Sequence, residues 1–219
     1  MKVVGFCGYS GSGKTTLVEQ LVVRLRLAGQ RVSVVKHAHH QFDIDQPGKD
    51  SHRHRAAGAF EVVIASNRRL AKIREYEVEG DLSVHQLIAE LSRDVDWVLV
   101  EGFKHADLLK IEVWRAATGQ RVQYPHDPFV VAIATDSPQA LPQPTLLPVL
   151  DLNDPDAVTA HLLGQSARHE YRCPYDADNQ AAYVDTAVDT AVDTALDTAA
   201  DAEPGAGART SARRDPGTG

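Results

Sequence analysis

The chain has 219 residues, of which 43% are apolar, and this suits one compact domain of moderate size with some chain to spare. Its net charge of −7 is unevenly placed: residues 166–219 carry 5 Lys and Arg against 10 Asp and Glu, leaving 18 against 20 for residues 1–165. A near-neutral body argues against a broad nucleic-acid surface, and no run approaches the roughly 20 apolar residues of a membrane span, so we expect a cytoplasmic protein with neither nucleic acid nor membrane as partner.

Residues 2–7, Lys-Val-Val-Gly-Phe-Cys, form a short apolar run suited to a buried parallel strand. The N-terminus therefore reads as a core strand and not as a cleavable leader. Cys7 lies within this strand, far in sequence from Cys173, so no disulfide framework is expected. Residues 8–15 read Gly-Tyr-Ser-Gly-Ser-Gly-Lys-Thr and fit the Gly-x4-Gly-Lys-Ser/Thr phosphate-binding loop at each fixed position. After it Leu17, Leu21, Val22 and Leu25 recur at helical spacing, so the loop has the strand before it and the helix behind it that the chemistry requires. In such a loop glycines let successive N–H groups point inward, and the helix N-terminus adds its positive end to the anion site. Lys14 is expected to reach the outer phosphates of a nucleoside triphosphate, and the Thr15 hydroxyl to ligate Mg2+.

The first helix should stop at Ala28-Gly29, and a second strand follows over residues 32–35. From Lys36 the chain reads Lys-His-Ala-His-His-Gln-Phe-Asp-Ile-Asp-Gln-Pro-Gly-Lys-Asp-Ser. In an open parallel sheet the carboxyl ends of strands face the ligand crevice, which makes this loop a functional candidate. Asp43 or Asp45 is a candidate to hold Mg2+ or to orient a water, and Lys36, His37 and Lys49 to meet phosphates or an anionic partner molecule. A zinc site from His37, His39 and His40 is the weaker reading, because their spacing is tight and no cysteine accompanies them. A solvated polar loop is the bland one. His52-Arg-His-Arg55 follows an expected helix start at Pro47 and reads as that helix's exposed face.

Extended runs between residues 60 and 75 flank Ser66-Asn-Arg-Arg69, an expected hairpin turn that would add an antiparallel edge. The strand at residues 97–100 ends in Glu101-Gly-Phe-Lys-His105; an apolar strand ending in a carboxylate is how phosphate-loop proteins bring an acid to the metal or the water. Glu101 is thus a catalytic and metal-site candidate, with Gly102 allowing close approach of backbone to ligand. Asp96 should lie at the strand's opposite end. Residues 108–114 alternate as a half-buried strand, and residues 129–134 and 146–150 supply two more. Asp154-Pro155 places an N-cap before a favourable first helical residue, and the helix running to Leu163 closes a domain ending near Gln165. Strands alternating with helices specify an α/β fold of the phosphate-loop NTPase kind, with a largely parallel sheet flanked by helices. Residues 166–183 form a linker. From Val184 the unit Val-Asp-Thr-Ala occurs three times before Leu-Asp-Thr-Ala, a low-complexity pattern that reads as a disordered acidic tail.

Taken together, the loop at residues 8–15, the run from Lys36 through Asp43-Ile-Asp45-Gln-Pro47-Gly-Lys49-Asp50-Ser51, and Val100-Glu-Gly-Phe-Lys-His105 resemble the molybdopterin-guanine dinucleotide biosynthesis protein B (MobB) family. The resemblance extends over about residues 1 to 165 and takes in Val131-Ala-Ile-Ala-Thr-Asp136 and Leu150-Asp-Leu-Asn-Asp154. It implies a GTP-binding, usually homodimeric accessory protein that assists the guanylyltransferase attaching GMP to molybdopterin, with at most slow GTP hydrolysis of its own. Carried over by motif, Gly11, Ser12, Gly13, Lys14, Thr15 and Thr16 would bind phosphates and Mg2+, Glu101 would serve near the metal, and the loop from Lys36 to Asp50 would line the nucleotide or pterin site. Thr135 and Asp136 follow a strand on the binding side and are candidates to contact guanine, although the Asn-Lys-x-Asp guanine signature is absent. GTP over ATP therefore rests on the resemblance. A small-molecule kinase and a nucleotide switch without catalysis are the competing readings of the same loop.

Overall fold

The structure, a computed structural model, describes residues 1–38, 42–76, 80 and 82–175. His39, His40 and the repeats after Val184 lie outside the described residues, as does the linker beyond residue 175. Within them the order is β1 (Lys2–Cys7), α1 (Lys14–Leu27), β2 (Val32–Lys36), α2 (Asp50–Ala56), β3 (Glu61–Ala65), β4 (Leu70–Arg74), α3 (Val84–Ala89), β5 (Trp97–Glu101), β6 (Lys110–Trp114), β7 (Val130–Thr135), β8 (Val149–Asp151) and α4 (Pro155–Gly164). Six of the strands form one parallel sheet in the order β2-β5-β1-β6-β7-β8.

The two-residue period of the strands divides the core between the faces of this sheet. Val4 and Phe6 of β1, Trp97 and Leu99 of β5, and Ile111 and Val113 of β6 pack with Leu17, Leu21 and Leu25 of α1 and with Val158 and Leu162 of α4. On the other face Val3, Val98 and Val100 meet Val84 and Ile88 of α3. Strands covered on both faces read as continuous apolar runs, which is why β1, β5 and β7 stand out in the sequence. The first helix ends where expected, with Gly29 at φ +79°, and α4 is capped by the Asp154 carboxylate, which accepts from the Ala157 N–H at 2.9 Å.

Three expectations need adjusting. The hairpin turns at Ser66, whose N–H donates to the Arg69 carbonyl, but β3 and β4 pair as a two-stranded antiparallel sheet of their own and do not join the large one. The helix after the polar loop begins at Asp50 and not at Pro47, because Gly48 sits at φ +83° and keeps that stretch in a turn. The run at 108–114 is not half-buried: β6 lies between β1 and β7, all of Lys110–Trp114 is buried, and its polar members Lys110 and Glu112 are interior groups. Glu112 accepts from the N–H groups of Gln123 and Tyr124, both at 2.8 Å, and so fixes the crossover between β6 and β7. Neither cysteine is in a disulfide, and burial followed by the nearby Glu112 pushes the Cys7 thiol up to about 12, which makes it an inert core residue.

The packed chain continues past Gln165. A 3-10 turn at Ser166–His169 brings the buried His169 ring against Trp97, with centroids 5.6 Å apart, and within 3.2 Å of the Val3 carbonyl. Glu170 bridges to Lys2, and the Tyr171 N–H donates to the Met1 carbonyl. Burial holds the His169 imidazole below the ordinary histidine range, so the native state keeps it neutral where the unfolded chain has begun to protonate. Below about pH 6.5 the unfolded state binds the extra proton, and stability falls as the pH drops towards the lower folded value. In urea unfolding, the wild type should lose more stability between pH 7 and pH 5 than His169→Phe, which keeps a ring on Trp97 but carries no titrating group. Parallel profiles would refute this.

Candidate functional site

The loop between β1 and α1 opens at the carboxyl end of the sheet, between the ends of β5 and β6. Gly8, at φ +134°, is required by space as well as by conformation, since a Cβ there would come within 2.3 Å of the Val113 carbonyl oxygen. Gly11 and Gly13 also have positive φ, and Gly13 forms the left-handed cap from which α1 starts at Lys14. The first N–H groups of a helix have no carbonyl one turn earlier to bond, so Lys14, Thr15 and Thr16 present donors at the loop's mouth. Lys14 folds over the loop, its Nζ donating to the carbonyls of Gly8 at 2.7 Å and Tyr9 at 2.8 Å. Burial above all depresses its proton affinity; Lys36 and Lys104 act in the same direction, while Glu101 opposes them. Ser12 is buried, and its hydroxyl has no hydrogen-bond partner among the described residues.

The register of the sheet assembles the acid side. Glu101 ends β5 opposite Phe6 on β1 and Lys36 on β2, so the ends of three strands meet beside Thr15. The Thr15 hydroxyl donates to the Glu101 carboxylate at 2.5 Å, and the Lys36 ammonium lies 3.4 Å from the same oxygen. A recess of about 330 Å³ opens beside this cluster, lined by Thr15, Val18, Glu19, Val22, Val34, Lys36 and Glu101. A larger open recess of about 510 Å³, lined by His54, Gly58, Glu61 and Val63 among others, lies at the junction of α2 and β3 and contains none of these groups. His37 follows directly, bonded through its N–H to the Glu101 carbonyl and stacked on Phe103 at 4.6 Å. Gly102, at φ +96°, makes room for it, since a Cβ would sit 2.9 Å from that of His37.

The other residues singled out in the sequence fall into different surroundings. Asp43 and Asp45 converge on Arg55, at 3.1 and 3.0 Å, and Asp45 also accepts from Ser51. Arg55 completes its set with Glu75 at the end of the hairpin, so it is a hub tying loop, α2 and hairpin together and not part of a solvated face. Lys49 is exposed at the start of α2. Thr135 is buried, its hydroxyl accepting from the Ser137 N–H, and the Asp136 carboxylate is held by Arg115 and Ser137. Asp96 caps the far end of β5 as expected, accepting from the Arg31 N–H. Among the described residues no group of three or more His, Cys, Asp or Glu is placed to hold a metal ion by itself.

Arg115 was not singled out in the sequence. Its Nε donates to the Ser12 carbonyl at 3.1 Å while its other arm pairs with Asp136, so the end of β7 is tied to the backbone of the phosphate loop. Its position directly after a strand that ends at the binding edge was the available signal.

The fold and this constellation have counterparts among known proteins. The family model for molybdopterin guanine dinucleotide synthesis protein B matches residues 3–136. The molybdopterin-guanine dinucleotide biosynthesis adapter protein of Escherichia coli is 38% identical over 154 residues, covering 69% of this chain and 86% of the relative. That of Haemophilus influenzae is 41% identical over 140 residues, covering 62% of this chain and 75% of its own. Among solved structures, the MobB protein homolog from Bacillus stearothermophilus superposes with a TM-score of 0.59 at 25% identity, covering 77% of this chain and 99% of that one. MobB of Bacillus subtilis gives 0.58 at 25% identity, over 75% of this chain and 98% of its own.

Proposed function

Because this chain belongs to the family of molybdopterin guanine dinucleotide synthesis protein B, we propose that it is a GTP-binding accessory protein that assists a guanylyltransferase in converting molybdopterin to its guanine dinucleotide. The observation that carries this is the meeting of Lys14, Thr15, Glu101 and Lys36 at the mouth of a glycine-shaped loop. Lys14 exchanges the Gly8 and Tyr9 carbonyls for phosphate oxygens, and the loop's N–H groups with Gly11, Ser12, Gly13 and Thr16 surround the same phosphates. The unpartnered, buried Ser12 hydroxyl supports a ligand at this place. The hydroxyl of Thr15 and the carboxylate of Glu101 form the hard oxygen set that suits Mg2+, which when bound neutralises phosphate charge. Lys36 and His37 line the outer side, where an anionic pterin phosphate is the second ligand we assign. Asp43 and Asp45 act through Arg55 by shaping that loop. Thr135 and Asp136 stand on the side of the base. All of these residues fall within 1–165, to which we assign the nucleotide site, while the packing described above carries the folded unit on to Tyr171. The exposed apolar side chains Phe60, Val63, Ile64 and Leu70 of the hairpin support the homodimeric form.

The direct test is nucleotide titration with and without Mg2+. GTP should bind more tightly than ATP, and Mg2+ should strengthen GTP binding in the wild type but roughly 10-fold less in Glu101→Gln, the equivalent of one charge-assisted contact. Equal affinity for ATP, together with phosphorylation of a small metabolite, would support the kinase reading instead.

A further inference from the structure

We infer that Arg115 is a positioning residue for phosphate binding, which turns the Gly13 N–H into the phosphate loop and is itself aimed by Asp136. The inference rests on the nucleotide-binding reading above. It starts from the register of two neighbouring strands. Trp114 of β6 pairs with Thr135 of β7, so Arg115 and Asp136 leave the binding edge of the sheet side by side. Arg115 is still extended, at φ −132° and ψ 132°, and its carbonyl accepts from the N–H and the hydroxyl of Thr118 at 3.1 and 2.8 Å, which fixes its backbone. From there the guanidinium reaches the phosphate loop. Its Nε donates to the Ser12 carbonyl at 3.1 Å, and a Cβ at Gly13 would stand 3.4 Å from two of its nitrogens. The opposite arm pairs with the Asp136 carboxylate, whose other oxygen accepts from the Ser137 hydroxyl at 2.8 Å.

The Ser12 carbonyl and the Gly13 N–H belong to one planar trans peptide unit, so they point in opposite directions. A bond that draws the carbonyl towards Arg115 therefore sends the N–H to the other side, as an anion-binding loop requires of its donors. Gly13, at φ +95°, has the conformational freedom that would otherwise let this peptide turn away. A planar guanidinium suits the task because its donors lie on more than one edge, one for the carbonyl and one for Asp136. Asp136 thus acts on the phosphates through Arg115. The amide is oriented before the nucleotide arrives, and that preorganisation lowers the cost of binding.

The test measures binding of a fluorescent GTP analogue, in Mg2+, to the wild-type chain, Arg115→Met, Arg115→Lys, Asp136→Asn, the Arg115→Met and Asp136→Asn double variant, and Lys14→Ala. Arg115→Met should weaken binding roughly 10-fold, and Arg115→Lys, whose single ammonium cannot reproduce the fork, should fall between it and the wild type. Asp136→Asn should also weaken binding, yet add little in the Arg115→Met background. At saturating GTP the Gly13 amide proton should move downfield in the NMR spectrum of the wild type and clearly less in Arg115→Met, a readout that a loss of stability alone would not move. Unchanged affinity in Arg115→Met with binding lost in Lys14→Ala, additive losses from Arg115→Met and Asp136→Asn, or a full Gly13 shift in Arg115→Met would each overturn the inference and leave the nucleotide-binding reading standing. Failure of the wild type itself to bind GTP would overturn that reading, and this inference with it.

Discussion

Replacing Lys14 by alanine should abolish nucleotide binding while leaving the fold in place. In the structure its ammonium satisfies two carbonyls of the phosphate loop, Gly8 and Tyr9, and burial already lowers its affinity for the proton. Both features mark a cation held ready to transfer its bonds to a stronger acceptor. Two charge-assisted bonds to phosphate oxygens, at about 1.5–3 kcal/mol each, amount to a loss of roughly 10²–10⁴-fold in affinity when the ammonium is removed. The fold should lose little, about 1 kcal/mol or less, because the carbonyls left behind stand at the half-buried mouth of the loop where water reaches them. Calorimetric titration with GTP and urea unfolding of the same two proteins separate these effects. GTP affinity within a few-fold of the wild type would remove the basis of the functional reading.

Lys110→Met should produce the largest loss of stability. Lys110 is 1% exposed, and its ammonium bonds two carbonyls and the Asp127 carboxylate, itself mostly buried. Methionine keeps most of the stem's volume beside Gly5, so the change removes the charge and the donors and leaves little cavity. Removing one partner of a buried pair costs about 3–5 kcal/mol, because the other charge remains desolvated. Here the two unpaired carbonyls add to the loss, and the partial exposure of Asp127 moderates it. Asp127→Asn in the same chain should recover part of the stability, since a neutral amide needs no counter-charge. Denaturant unfolding at neutral pH checks both. A loss below about 1 kcal/mol would show that the interior of β6 tolerates an unpaired carboxylate.

The two examples also show where a sequence is informative. The phosphate loop, the helix behind it and Glu101 are local patterns, and the physics behind them is local: glycines at positive φ, a helix N-terminus, an apolar strand ending in an acid. The hairpin turn at Ser66-Asn-Arg-Arg69 is of the same kind. Lys110 and Glu112 read as the wet face of a half-buried strand because their alternation with Ile111 and Val113 is sound. Their burial follows from the neighbours of β6 and the loops over its face, which no local window contains. Arg55 and Arg115 were hidden for a related reason. Each draws its meaning from partners elsewhere in the sequence: Asp43, Asp45 and Glu75 for Arg55, Ser12 and Asp136 for Arg115. The strand order fixes these meetings, and hydropathy leaves that order open.

Membership in the family joins this grip on a nucleotide to a biosynthetic role, and the two meet in a single assay. Purified guanylyltransferase should form the dinucleotide cofactor from GTP and molybdopterin faster when the wild-type chain is added, and Lys14→Ala should give no such stimulation. Stimulation by the wild type alone is the expected result. Equal product formation with the wild type, with Lys14→Ala and with neither would contradict the proposal that this chain acts through bound GTP in cofactor assembly.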